Sequence, residues 1–390
     1  MNNSELEMIG MKSDRGIDLA ATTPSASSAS AALQRVRKLV KAFGWNATAY
    51  QIINPGISHW FSAVGDAVIG YVEHHRVRVV AGAPVCAGER LAEVVAEFER
   101  DAAHGKIRVC YFGAEARLES CLAGSPRHSR LWLGAQPSWR PQGWAGIFAR
   151  QASLRAQLNR ARNKAVTVSE WPVERASGHP ELRRCLSEWL ATRGLPPMHF
   201  LVEPQTLERL YDRRVFVAER RGAVIGFLVS SPVPLRNGWL IEQIVRGAGA
   251  VNGANELLVD AAVRAAADSG SDYITLGLSP LSNRGVASSD SNPLWLRWLL
   301  AWARAHGQRF YNFEGLDTFK AKFQPERWEP VYAIANEPQF SPAMLYAIAA
   351  AFTAGRPVGA VAHALWRAIS QEAKWLMNGV RNNRERLRRC

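Results

Sequence analysis

The chain has 390 residues, 47% apolar and 21% charged, enough for a substantial core and, at about 100–200 residues per domain, for two domains. Mean hydropathy is −0.15 and no clean apolar run of ~20 residues exists, which excludes a polytopic membrane protein and wholesale disorder. Lys plus Arg total 48 against 34 Asp plus Glu, a net charge of +14, so an anionic partner is expected: nucleic acid, anionic lipid or an anionic substrate.

Five cysteines, an odd number with no CxxC, argue against a disulfide framework and a structural zinc site. The start, MNNSELEMIG, lacks the charged and apolar regions of a secretory signal, so a cytoplasmic location is expected. Fourteen Trp suit surfaces that are apolar on one side and wet on the other.

Residues 1–32 end in a Ser/Ala/Thr-rich stretch with little to bury and read as a disordered tail. Leu33 to Phe43 follows as a basic amphipathic helix, with Arg35, Arg37, Lys38 and Lys41 between its apolar positions. Its pattern fits either a membrane surface or its own domain. Strand patterns at HWFSAV, AVIGYVEHH and VRVVAGAP precede a helix over Leu91 to His104, which Gly105 stops. Strands at IRVCYFG and LWLGAQPSW and a long helix from Gly146 to Lys164 complete a first α/β unit, residues 33–170.

The second unit, residues 171–336, repeats the theme. A helix over Glu181 to Arg193 leads to a hairpin of VFVAER and AVIGFLVSS with Arg221-Gly222 at its turn. The strand GWLIEQIVR, a glycine-containing loop and the helix NELLVDAAVRAAADSG come next. YITLGLSPL is a strand, LWLRWLLAWARAHG a helix, and an aromatic-rich segment closes the unit. Two α/β units of similar layout predict a duplicated fold with two mixed sheets flanked by helices. Residues 337–390 are expected to be a separate basic amphipathic extension. In it, Val358, Val361, Leu365, Ile369 and Leu376 form a stripe flanked by Trp366 and Trp375, the profile of an interfacial helix.

Three constellations could carry chemistry. Arg246, Gly247, Gly249 and Gly253 lie in a strand–loop–helix, where backbone N–H groups favour anions. GNAT-like acyltransferases hold the coenzyme A pyrophosphate at such a loop, and Arg246-to-Gly249 matches their pattern in part. On the following helix Glu256, Asp260 and Arg264 share a face at i, i+4, i+8, suited to a polar substrate or to an ordinary Asp–Arg pair. In FYNFEGLDTFKAKFQPERWEPVYA, Lys320 and Lys322 alternate with apolar residues; if extended, both ammonium groups point the same way, toward a phosphate. The run Arg150 to Lys164 places Arg155, Arg160, Arg162 and Lys164 without an acid, an electrostatic footprint for RNA or phosphate or a plain basic helix face. No HExxH, P-loop, GxSxG or Ser-His-Asp order is present. His74-His75, His199 and His363 show no metal spacing, so no metal is expected.

NGANELLVD (252–260), LGLSPL (276–281) and YNFEGLDTFKAKFQPERWEPVYA (311–333) resemble the catalytic C-terminal domain of bacterial phosphatidylglycerol lysyltransferases, the multiple peptide resistance factor proteins. GDAVIGY, AGAPV, SLRAQLNRARNKAVTV and LSEWL agree upstream, so the resemblance spans roughly residues 47–335. It implies tandem GNAT-like domains and transfer of an amino acid, lysine or alanine, from aminoacyl-tRNA to a hydroxyl of phosphatidylglycerol or a related lipid. No cofactor is implied; aminoacyl-tRNA is the co-substrate and an anionic phospholipid surface the partner, at the inner face of the cytoplasmic membrane. The resemblance places Glu256, Asp260, Lys320 and Lys322 at the catalytic centre. Arg246, Asn255, Tyr311, Glu314, Arg327 and Trp328 would bind substrate, and Arg155, Arg160, Arg162 and Lys164 would contact tRNA or phosphate. The family commonly reads G-L-R where this chain has Gly315-Leu316-Asp317, and its transmembrane flippase region is absent, so a separate flippase is expected. Three alternatives stand beside this reading: a coenzyme A-dependent N-acyltransferase, a Fem-type aminoacyltransferase acting on a peptidoglycan precursor, and a non-enzymatic membrane- or RNA-binding protein.

Overall fold

The computed structural model describes residues 26–193, 197–282, 284 and 313–355. Among the described residues twelve strands form one continuous mixed sheet: β1 Ser58–Phe61, β2 Val68–His74, β3 Val77–Ala81, β4 Arg108–Ala114, β5 Ser129–Trp139, β6 Val166–Trp171, β7 Arg214–Arg220, β8 Ala223–Val233, β9 Gly238–Arg246, β10 Tyr273–Thr275, β11 Ser279–Pro280 and β12 Arg327–Ala335. Their order is β1-β2-β3-β4-β12-β5-β10-β9-β8-β7-β6, with β11 paired to β5. The ten helices are α1 Ala26–Phe43, α2 Leu91–His104, α3 Ala116–Leu122, α4 Trp144–Arg150, α5 Ala152–Arg162, α6 Val173–Ala176, α7 Pro180–Ala191, α8 Ala254–Asp268, α9 Phe313–Ala321 and α10 Pro342–Phe352 among the described residues.

The order is symmetric about the junction of β12 and β5. Outward on one side run β4, β3, β2 and β1; on the other run β10, β9, β8 and β7, with β6 added. Both sides carry one parallel pair, β3 with β4 and β9 with β10, and antiparallel neighbours elsewhere. The duplication expected from the sequence is therefore present, but the two sheets are one. The central pair is exchanged: β5, from the first unit, borders β10, while β12, from the second, borders β4. Nine registered residue pairs between β12 and β5 seal the junction.

Helices cover both faces. Leu91, Val94, Val95 and Phe98 of α2 pack on one face of the first half, and α8 buries Leu258, Val259, Ala262 and Val263 on the second. Full burial of a Val, Leu or Phe side chain of this kind contributes about 1.5–3 kcal/mol. Local signals start α7: the His179 imidazole accepts from Glu181 N, Pro180 sits at the first helical position, and Glu181 complements the helix dipole. The hairpin turn at Arg221-Gly222 has φ of 52° and 80°, both in the left-handed region that two-residue turns require.

Three expectations change and one open alternative closes. α1 begins at Ala26, inside the stretch read as tail; Ala is the strongest helix former, and docking supplies the rest. Val36 and Val40 are fully buried, and Arg37 and Lys41 pair with Asp212, so α1 packs on its own protein. The single helix expected over Gly146 to Lys164 breaks at Gln151, where the Arg155 guanidinium takes the Phe148 and Ala149 carbonyls. Finally, α10 is no free extension: Met344, Ala347, Ile348 and Ala351 join the core of the first half. The stripe from Val358 to Leu376 lies outside the described residues.

Candidate active site

β9 and β10 pair in parallel over only three residues, Gly238–Leu240 against Tyr273–Thr275. The Thr275 hydroxyl donates to Pro137 O and accepts from Gly277 N, and Gly277 takes φ of 67°. That left-handed bend, natural for glycine, turns the chain away from β9 into β11. The rest of β9 is left open on this edge, and a cavity of about 840 Å³ fills the gap. Its walls are β9 and the loop to Ala250, the end of α7, the segment Pro197 to Pro204, and Leu316, Phe319 and Lys320 of α9.

Lys320 is 5% exposed, and its Nζ donates to Gly277 O (2.8 Å) and Leu278 O (2.7 Å). The bend that opens the cavity thus also holds the amine. Burial pushes its pKa down to about 7, only partly opposed by the Asp317 charge. Among the described residues it makes no ion pair, and one of its three donors remains for a ligand.

Glu242, on β9 in the cavity wall, is clamped. Its Oε1 accepts from Arg213 Nε (2.5 Å) and its Oε2 from Gln51 Nε2 (2.7 Å). The Arg213 side chain is fully buried and also donates to Asn54 Oδ1 and Arg209 O. This clamp escaped the sequence reading, since Gln51, Arg213 and Glu242 belong to segments far apart in the chain.

Arg246, Asn255 and Lys320 line the cavity. Lys322, Glu256 and Asp260 do not. The segment expected to be extended is α9, and on a helical path residues two apart diverge by about 200°. Lys320 therefore faces the cavity while Lys322, just past the helix, pairs with Glu256 at 2.7 Å. Asp260 accepts from Trp144 Nε1 (2.8 Å), Arg264 Nε (2.9 Å) and Arg162 Nη2 (3.4 Å), a buried carboxylate satisfied by α4, α5 and its own helix. Glu314 and Arg327 are exposed, and Trp328 lies under the Arg284 guanidinium. Tyr311 lies outside the described residues. Asp317 stands where the family commonly has arginine, and it draws in Arg284 at 2.8 Å. Burial would raise the Asp317 pKa, but hydrogen bonds from Ser282 and Arg284 hold it below the usual carboxylate range. Arg155 is spent on α4; Arg160 and Lys164 are exposed.

The Arg246–Gly253 loop is not an open anion cradle. Ala248 N donates to Glu188 Oε2 at 2.7 Å, and a Cβ on Gly253 would stand 2.1 Å from Gln157 O, so α5 packs against this end of α8. No group of side chains among the described residues could hold a metal ion, and no described helix is long and apolar enough to cross a membrane.

A mixed sheet with one parallel pair parted and helices on both faces is a GNAT-like fold. The model of the phosphatidylglycerol lysyltransferase C-terminal family matches residues 37–335, and the chain belongs to that family of aminoacyltransferases. The fold is shared with solved structures. The C-terminal domain of a putative lysylphosphatidylglycerol synthetase from Agrobacterium fabrum is similar at 22% identity and a TM-score of 0.71, over 84% of this chain and 98% of that one. L-PGS from Bacillus licheniformis is similar at 20% identity and a TM-score of 0.68, over 82% and 95%. A conserved protein of unknown function from Bacteroides thetaiotaomicron follows at 14% and 0.54, over 78% and 97%. No curated protein matches the chain.

Proposed function

We propose that the protein transfers an aminoacyl group, lysyl or alanyl, from aminoacyl-tRNA to a hydroxyl of phosphatidylglycerol at the inner face of the cytoplasmic membrane. The observation that carries this reading is the Lys320 amine, buried in the wall of the opened sheet with no carboxylate paired to it among the described residues. In its neutral form it accepts the proton of the lipid hydroxyl as the oxygen attacks the ester carbonyl. The tetrahedral intermediate collapses by breaking the bond to the terminal ribose oxygen, which takes that proton from the Lys320 ammonium. One ester forms and one breaks, so the main demands are proton transfer and positioning. The Glu188 carboxylate on Ala248 N favours this reading over a coenzyme A-dependent one, because it occupies an amide that a pyrophosphate would need.

The test is lipid labelling in a lysate containing the protein and radiolabelled amino acids, with and without ribonuclease. Labelled lipid that disappears after ribonuclease treatment is the expected result, and it identifies the amino acid. Labelling that survives ribonuclease, or none where a known lysyltransferase gives a signal, overturns the reading.

A further inference from the structure

One end of the second half of the sheet gathers cations that make no ion pair among the described residues. Val166 opens β6 opposite Arg220, Arg220 faces Ala223 across the Arg221-Gly222 turn, and Gly226 of β8 faces Arg246 at the end of β9. Two bonds tie this end together: Arg220 Nε donates to Lys164 O at 3.0 Å, and Gly247 N to Ile225 O at 2.9 Å. α5 lies against the same loop through Gln157 and Gly253, so Arg160 and Lys164 continue the row that Arg246 ends at the cavity mouth.

Arg160, Lys164, Arg221 and Arg246 are exposed, and among the described residues none of them makes an ion pair. Elsewhere in this half Arg184, Arg213, Arg214 and Arg264 are each matched by a carboxylate. Two acids adjoin the row: Glu219, half-buried on β7, and Glu188, already held by Arg184 and Ala248 N. A row of this kind beside a cavity sets up a positive field that attracts and steers an anionic partner.

We propose that this row is the docking surface for the RNA of the donor, with its phosphates on Arg160, Lys164, Arg220 and Arg221 and its aminoacylated end passing Arg246 into the cavity. The proposal rests on the tRNA-dependent reading above. The surface between the cations favours RNA over a membrane: Asn159 and Asn163 are exposed there, whereas among the described residues the exposed large apolar side chains Val64, Tyr211, Leu235 and Tyr346 belong to other segments and Val202 lines the cavity. Membrane-seated surfaces insert apolar side chains, and phosphate backbones need cations and hydrogen-bonding groups.

The experiment measures binding of deacylated tRNA and, separately, of phosphatidylglycerol vesicles to the full chain and to its Arg160→Ala/Lys164→Ala/Arg221→Ala variant across salt concentrations. The variant is expected to bind RNA at least about tenfold more weakly at 0.1 M salt, with a log–log salt slope shallower by about 2–3. Vesicle binding stays within twofold, and the KM for donor rises more than kcat falls. Arg160→Glu alone makes the same test if the triple variant does not fold. Unchanged RNA affinity and slope overturn the docking surface and leave the tRNA-dependent reading standing. Vesicle binding lost in place of RNA binding assigns the surface to lipid and overturns it too. A wild-type chain that binds no RNA overturns both.

Discussion

In the first half of the sheet β3 and β4 stay paired throughout, Val77–Ala81 against Arg108–Phe112, and Gly82 N extends the ladder to Phe112 O. In the second half the equivalent strands β9 and β10 part after three residues. What lies over the closed pair is a short helical turn, Ala49–Ile53, every residue of it buried. Asn46 Nδ2 donates to Gly113 O and Thr48 Oγ1, so that Asn46 and Thr48 press on Gly82, where a Cβ would stand 2.4 Å from Thr48 Oγ1. Over the parted pair lies the cavity. The same turn reaches the open half, because Gln51 holds the Glu242 carboxylate in the cavity wall. One architecture used twice has thus become a filled half and an open half whose cavity wall holds the buried Lys320 amine.

The sharpest way to break this division of labour is at the clamp. Arg213→Ala leaves the Glu242 carboxylate buried without its cation and is expected to lower stability by about 3–5 kcal/mol, read from urea denaturation. Arg213→Ala combined with Glu242→Gln should recover part of that loss; no recovery would mean that the pair is not coupled. The glycines at the two strand ends give the next contrast. Gly82→Ala, at φ of 78° and against Thr48, should cost about 1–3 kcal/mol while leaving kcat within about twofold. Gly277→Ala, at φ of 67° beside Leu240, should cost less stability but lower transfer about tenfold or more, because it shifts the carbonyls that hold Lys320. Equal effects of the two on stability and transfer would erase the distinction between the halves.

A pH-dependent contrast follows from proton linkage. The native Lys320 amine releases its proton near pH 7, whereas the unfolded chain keeps it to about 10.4. Between those values the unfolded state binds more protons, so stability rises with pH relative to a Lys320→Met variant. Melting curves of both proteins from pH 6.5 to 10 check the sign; a parallel pair of curves contradicts a native amine near pH 7.

Much of the fold was legible. Short apolar runs bounded by turn residues located β7, β8 and β9, Arg221-Gly222 marked the β7–β8 turn, and Gly105 ended α2. The single sheet was not, because β12 meets β4 across more than half of the chain and strand patterns carry no record of their neighbours. At the cavity, the lysine alternation that drew attention to Lys320 is not the period of its segment. Leu316, Phe319 and Phe323 repeat at helical spacing, and fully buried Phe323 anchors that stripe, whereas the lysine alternation spans only two positions. Glu256 and Asp260 do share a helix face, as their spacing required, but spacing does not name partners: Lys322 and Arg162 arrive from other elements. The Gln51–Glu242–Arg213 clamp has no local signature at all.

The most direct measurement is single-turnover transfer of label from aminoacyl-tRNA to phosphatidylglycerol vesicles by the purified wild-type chain and by Lys320→Met, with the fold of each verified by circular dichroism. The account predicts transfer by the wild type, with a rate that rises with pH through about 7, and a loss of about 10²–10⁴-fold in the variant, whose fold is retained. A folded Lys320→Met variant that transfers at the wild-type rate would contradict it.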